Sequence, residues 1–237
     1  MKRRKKILII TDSVSMPRPG VPYEQTWIYL LKRAFSMYDV IDRPGRGSTS
    51  TRLVTEGGGG ADLLETYMPD MVILQIGMAD CAPRLFNKRG IEFRIVSRYL
   101  PTAIRQRYIA YVKRHRVRDP NVTEVPPDEF RRNIALYLER CGRIGALAII
   151  IPILPPTREM IRKSPHVRVN VVRYNAILRE EAARAGAVIV DPFNGREIDS
   201  MAVDELHIDA KGMRMIFRSL RPFLTGLAAR NSAKHLK

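Results

Sequence analysis

Lys6 to Thr11 reads KILIIT, and Met71 to Ile76 reads MVILQI. Neither run alternates apolar with polar residues, so a strand built from either has no face to offer water. Strands buried on both faces belong to parallel sheets covered by helices on each side. Parallel neighbours also need long crossover connections, usually helical, and the rest of the chain supplies them. Tyr23 to Met37 carries Trp27, Leu30, Leu31 and Phe35 at helical spacing. Tyr38 to Asp42 reads as a second strand, ended by Pro44, Gly45, Arg46 and Gly47. Gly57 to Gly60 is a flexible turn before a short helix, Ala61 to Tyr67. Asp128 to Cys141 is a helix with Asp128 as its N-cap and Phe130, Ile134, Leu136 and Leu138 at its apolar positions. Ala146 to Ile151 is a fourth strand, stopped by Pro152, Pro155 and Pro156. A helix from Val169 to Ala185, a fifth strand from Ala187 to Val190 and a last helix from Asp209 to Leu220 follow. This rhythm predicts an α/β fold: a three-layer α/β/α sandwich around a five-stranded parallel sheet.

In such sheets ligands bind beyond the carboxyl ends of the strands. The stretches to inspect are therefore Asp12-Ser13, Gly45 to Ser48, Gly77 to Arg84, Leu154 to Thr157 and Pro192 to His207. One stretch exceeds what a connection needs. Positions of about 85–127 hold Lys88, Arg89, Arg94, Arg98, Arg105, Arg107, Lys113, Arg114, Arg116 and Arg118, interleaved with Tyr99, Tyr108 and Tyr111. Leu100, Ile104, Tyr108, Tyr111 and Val112 share helical spacing there, which predicts a basic helical insertion in a single domain spanning 1–237.

The net charge of +17 draws the chain toward polyanions without specifying a reaction. An anionic surface or polymer is the partner expected for the insertion. Nucleic acid is disfavoured, because no helix-turn-helix, RRM, KH or zinc pattern accompanies the charge. No GxxxxGK[ST] phosphate loop occurs. No apolar run reaches the ~20 residues of a membrane span. The apolar stretch after the basic Met1 to Lys6 is too short for a signal peptide. Cys81 and Cys141 form no metal or disulfide pattern, which suits the cytoplasm, and neither a metal nor a cofactor is expected.

Ser13 directly follows the first strand, where a tight turn can present a hydroxyl at the top of the sheet. Such a nucleophile needs a base, and the chain offers His115, His166, His207 and His235. Only His207 has a carboxylate three residues before it, Asp204. That spacing lets the carboxylate fold back onto Nδ1–H and leave Nε2 for the serine proton.

Taken together, these positions resemble the SGNH (GDSL-type) hydrolases. The first block, usually Gly-Asp-Ser, is matched by Thr11-Asp12-Ser13. The second, a glycine after strand two, is matched by Gly47, and the third, Gly-x-Asn-Asp, by Gly77-Met78-Ala79-Asp80. The last, Asp-x-x-His, is Asp204 to His207, ahead of a terminal helix. The chain is most similar to members found with bacterial polysaccharide-assembly genes, which carry a Gly-x-x-Asp-Cys-Ala-Pro-Arg run, here Gly77 to Arg84.

The resemblance implies a flavodoxin-like sheet and a serine esterase with Ser13 as nucleophile, His207 as base and Asp204 as orienting acid. The amides of Ser13 and Gly47 would form the oxyanion hole, with Asp12, Gly77, Ala79, Asp80 and Arg84 lining the site. The implied substrate is an acylated small molecule or glycan, such as a bacterial polysaccharide bearing O-acyl groups. Two departures stand out: Thr11 replaces the glycine of the first block, and Ala79 replaces the asparagine whose amide serves the oxyanion. The second departure keeps two other readings open, an acyltransferase and a weakened scaffold that binds an anionic glycan or a partner protein. Arg84 is expected either to lend charge to the site or to pair with Asp80 or solvent.

Overall fold

In the computed structural model, which describes residues 3–55, 63–88, 90–116 and 118–233, the strands are β1 (Lys6–Thr11), β2 (Asp39–Pro44), β3 (Met71–Gln75), β4 (Leu147–Ile150) and β5 (Val188–Ile189). They form one sheet in the order β2-β1-β3-β4-β5, and every neighbouring pair is parallel. The α-helices are α1 (Trp27–Ala34), α2 (Leu63–Tyr67), α3 (Met78–Cys81), α4 (Ile91–Arg98) and α5 (Thr102–His115). They continue with α6 (Pro127–Arg143), α7 (Arg158–Lys163), α8 (Val167–Ala185) and α9 (Ala210–Ala233).

Successive strand residues point to opposite faces, and both faces are dry. Leu8, Ile10, Val72, Leu74 and Ile150 pack with Phe130, Ile134 and Tyr137 of α6 and Tyr174 and Leu178 of α8. Ile7, Ile9, Met71, Ile73 and Ile149 pack with Trp27 and Leu31 of α1 and Met213, Ile216 and Leu220 of α9. The unbroken apolar runs of the sequence are thus read by two cores at once. The chain winds outward from β1 to β2 and then crosses back to β3. The switch point therefore lies between β1 and β3, where a crevice opens beyond their carboxyl ends.

Several expected boundaries move for local reasons. Tyr23 to Met37 is not one helix: Tyr23–Gln25 is a 3₁₀ turn, and α1 starts after Thr26, whose Oγ1 accepts from the Tyr29 amide at 3.3 Å. The N-cap of α6 is Pro126, not Asp128. Pro127 takes the first helical position, where a missing N–H costs nothing, and Asp128 lies in the first turn, favoured there by the helix dipole. The insertion is two helices, α4 and α5, because Pro101 disfavours a helical Leu100. α7 lies between the expected fourth strand and the helix expected from Val169, and Thr157 caps it by accepting from the Met160 amide at 3.1 Å. α9 runs on past Leu220 and through Pro222. Gly57 to Gly60 lie outside the described residues, as do the first two positions of the helix expected from Ala61.

The insertion is stitched to the loop that follows β3. The amides of Glu124 and Val125 donate to the Asp80 carbonyl at 3.2 and 3.4 Å, and the Arg84 amide donates to the Val122 carbonyl at 2.7 Å. Asn170 of α8 donates from Nδ2 to the carbonyls of Cys81 and Pro120, both at 2.9 Å.

Candidate active site

β1 ends at Thr11, and Asp12 turns the chain. Its Oδ1 accepts from the Val14 amide at 2.9 Å and caps the 3₁₀ turn Ser13–Ser15. This holds Ser13, half-buried, at the end of a central strand. Thr11 is buried, but its hydroxyl is satisfied 2.5 Å from Ser15 Oγ, so a threonine fits where the family has glycine.

His207 arrives from the other end of the chain. Its Nε2 lies 3.2 Å from Ser13 Oγ, and its Nδ1 lies 2.8 and 2.9 Å from the Asp204 carboxylate oxygens. Asp204 Oδ1 also accepts from the amides of Leu206 and His207, each at 2.8 Å. The loop closes at its base, where the Val203 amide donates to the His207 carbonyl at 2.9 Å. A carboxylate only accepts, so Nδ1 carries the proton and Nε2 turns its lone pair toward Ser13.

The electrostatics favour a neutral imidazole. Burial is the main reason that His207 titrates below its ordinary value, and the cations of Arg18 and Arg46 add to it, outweighing Asp204. Arg18 reaches under the nucleophile, donating from Nη2 to the Ser13 carbonyl and, at 3.1 Å, to that of Met16. Burial alone would raise Asp204, but the Leu206 amide and His207 hold it below the usual carboxylate range. A base must be unprotonated to act. A depressed pKa keeps the imidazole neutral to lower pH, so the acid limb of kcat/KM is expected below pH 6.5, the ordinary histidine value. A pH–rate profile with that limb above 6.5 would contradict the assignment.

Beneath the serine lie two buried carboxyls. Burial pushes Asp12 up to about 7, with the Asp80 charge adding to the effect. Burial likewise raises Asp80 to about 6, against the bonds from Ser50 that favour its ionised form. Asp80 Oδ1 accepts from the Ser50 amide at 2.8 Å and from its hydroxyl at 2.6 Å, and Asn133 Nδ2 donates to that hydroxyl at 3.0 Å. Asp80 therefore ties the loop after β2 to the loop after β3. Arg84 does not pair with it. That guanidinium instead donates to the Ala79 carbonyl at 2.8 Å and lies 3.5 Å from Glu124.

Gly47 sits in a left-handed conformation, φ +66°, in a turn anchored where the Gly45 amide donates to the Thr11 carbonyl at 2.9 Å. It lines a cavity of about 270 Å³ with Arg84, Leu85, Phe86, Lys88, Phe93 and Glu124. Gly77, φ +126°, caps α3 and sets the direction of Ala79 and Asp80. A larger cavity of about 390 Å³, between Pro152 to Pro156, α8 and Glu197, includes neither Ser13 nor His207. Among the described residues, no cluster of His, Cys, Asp or Glu side chains is placed to hold a metal ion. No described helix is long and apolar enough to cross a membrane.

Sequence reasoning did not find Arg18, Ser50 or Asn133. Asn133 left a signal, a polar residue on the apolar face of α6 beside Phe130, Ile134 and Tyr137. Arg18 and Ser50 left none, since their partners are chosen by tertiary contact.

Comparison with known proteins bears on the fold. The fold matches the lipase/acylhydrolase from Enterococcus faecalis with a TM-score of 0.61 at 15% identity, covering 94% of this chain and 96% of that one. It matches the psychrotrophic esterase EstA from Pseudoalteromonas sp., in a structure inhibited by monoethylphosphonate, with a TM-score of 0.59 at 16% identity, covering 95% and 99%. It also matches a catalytic mutant of an acetylxylan esterase from Geobacillus stearothermophilus, with a TM-score of 0.57 at 15% identity, covering 92% and 93%. No curated protein matches the sequence at a significant level. The sequence profile described as "GDSL-like Lipase/Acylhydrolase family" matches residues 10–215. A match of that extent assigns the chain to the GDSL-like lipase/acylhydrolase family of ester-hydrolysing enzymes.

Proposed function

We propose that the protein is a serine esterase in which Ser13 attacks the ester carbonyl, His207 takes the serine proton and returns it to the leaving alcohol, and Asp204 orients His207. Water, activated by the same imidazole, then clears the acyl-enzyme. The observation that carries this reading is the Ser13 Oγ to His207 Nε2 distance of 3.2 Å, backed by the Asp204 contact at 2.8 Å. The amides of Ser13 and Gly47 serve the oxyanion. The cavity beside Gly47 has apolar walls from Leu85, Phe86 and Phe93, which suit an acyl group.

For the substrate we favour O-acyl groups of a bacterial polysaccharide. Support comes from the Gly77 to Arg84 run and from the acetylxylan esterase among the structural neighbours. The free thiols of Cys81 and Cys141 support a cytoplasmic setting. Hydrolysis of p-nitrophenyl acyl esters and acetylated sugars, with Ser13→Ala as the blank, tests the reading. Release above the blank is expected, and no release from any ester would contradict it.

Ala79 has no polar atom to offer an oxyanion. The missing bond would form mainly in the transition state, so activity on simple esters is expected to be low through kcat rather than KM. Ala79→Asn is expected to raise kcat by at most ~10²-fold, the size of a single-donor effect. An unchanged kcat in a well-folded variant would mean that another group already fills that position. The same absence favours a second reading, a scaffold that binds an anionic glycan without turning it over. That reading requires Ser13 to be inert to serine-directed phosphonates.

A further inference from the structure

The two faces of α4 meet different surroundings. Val96 is buried, and Phe93 packs 6.5 Å from Phe86 and lines the cavity that includes Gly47. Ile91, Ile95 and Tyr99 recur every fourth position and so share another face. They stand 74%, 48% and 73% exposed. Arg94 and Arg98 flank this stripe and are themselves exposed. In α5, Ile104 and Tyr111 are also more than half exposed, and Arg107 and Arg114 follow each by three residues.

The charge here is not neutralised within the protein. Glu92 is the only acid between positions 91 and 118. It is taken by Arg116 at 2.7 and 2.8 Å and by the Tyr108 hydroxyl at 2.7 Å. The side chains of Arg94, Arg98, Arg107, Lys113 and Arg114 form no ion pair among the described residues. The Tyr108 and Arg116 bonds to Glu92, together with Arg105 donating to the Ser97 carbonyl at 3.3 Å, hold α5 against α4. The outer apolar residues are therefore not what joins the two helices.

We propose that the α4–α5 hairpin docks the protein onto the surface of an anionic lipid bilayer. Exposed isoleucines and tyrosines set among unpaired arginines need a partner that is both negative and apolar. The headgroup region of an anionic membrane is both: phosphates meet the cations, and the acyl boundary takes the aliphatic and aromatic side chains. A soluble polyanion would satisfy the arginines and leave Ile91 and Ile95 in water. A second copy of this face would bring like charges together.

Co-sedimentation with vesicles tests the proposal. The protein is expected to pellet with mixed phosphatidylcholine–phosphatidylglycerol vesicles and not with phosphatidylcholine alone. Added salt is expected to weaken the binding. Arg94→Glu with Arg98→Glu, and separately Ile91→Ser with Ile95→Ser and Tyr99→Ser, are each expected to lower partitioning at least about tenfold. Circular dichroism and thermal midpoints identify which of these variants fold. Ile91→Ser alone, on the exposed first turn of α4, keeps the test available if the triple variant does not. Absence of binding to mixed vesicles would overturn the proposal. So would binding indifferent to the serine variants, which would assign the face to a soluble polyanion. Self-association that those variants abolish would assign it instead to a second copy.

Discussion

Ser13→Ala is expected to lower ester turnover by at least ~10⁴-fold, the scale on which serine hydrolases lose activity when the nucleophile is removed. Ser15, the neighbouring serine, is buried and bonded to Thr11, so it is not placed to take over the attack. His207→Ala is expected to cost a similar factor, and the double variant little more than either single one, because a disabled relay cannot be disabled twice. Asp204 differs. Its side chain is 49% exposed, so water screens part of its charge. Asp204→Ala is therefore expected to cost less than His207→Ala. Steady-state kinetics on one p-nitrophenyl ester ranks the three, and thermal midpoints should stay close to the parent for Ser13→Ala. Full activity in Ser13→Ala would remove the nucleophile assignment.

The largest effect on stability is expected at Gly77. A Cβ there would lie 2.6 and 2.7 Å from Cδ1 and Cγ1 of Ile153, and φ is +126°. Gly77→Ala must therefore bear backbone strain and overpacking at once, a cost of about 3–5 kcal/mol. For a domain of this size that is roughly 10 °C in thermal midpoint. Gly47 is the internal comparison. Its φ is +66°, but a Cβ there meets nothing within 4 Å. Gly47→Ala should cost only ~1–2 kcal/mol, the ordinary penalty of a left-handed alanine. Urea unfolding of the two variants compares them. Equal stability losses would mean that the close approach of Ile153 to Gly77 carries no weight.

The features legible in the sequence were those set by short-range rules. Runs such as KILIIT announced strands covered on both faces, and the two cores that share β1 and β3 follow from them. Asp204 and His207 were legible together because three residues of separation let a carboxylate reach an imidazole. Ser13 was legible from its place in the turn that follows a strand. Proline made the expected boundaries shift: Pro101 divides the insertion, and Pro127 opens α6 ahead of the expected Asp128 cap. The environment of the site was out of reach for a different reason. Ser50 meets Asp80 across 30 positions, and Asn133 meets Ser50 across 83. No local pattern encodes such pairings. They make Asp80 the brace of the loop after β2, and burial, another long-range property, moves Asp12 up to about 7.

Covalent labelling reports most directly on the central claim, that His207 activates Ser13. The protein is treated with a fluorophosphonate, and the adduct is located by intact mass and peptide mapping. One adduct is predicted, on Ser13, absent from Ser13→Ala and formed far more slowly in His207→Ala. An unlabelled parent protein, or an adduct that persists in Ser13→Ala, would contradict the account.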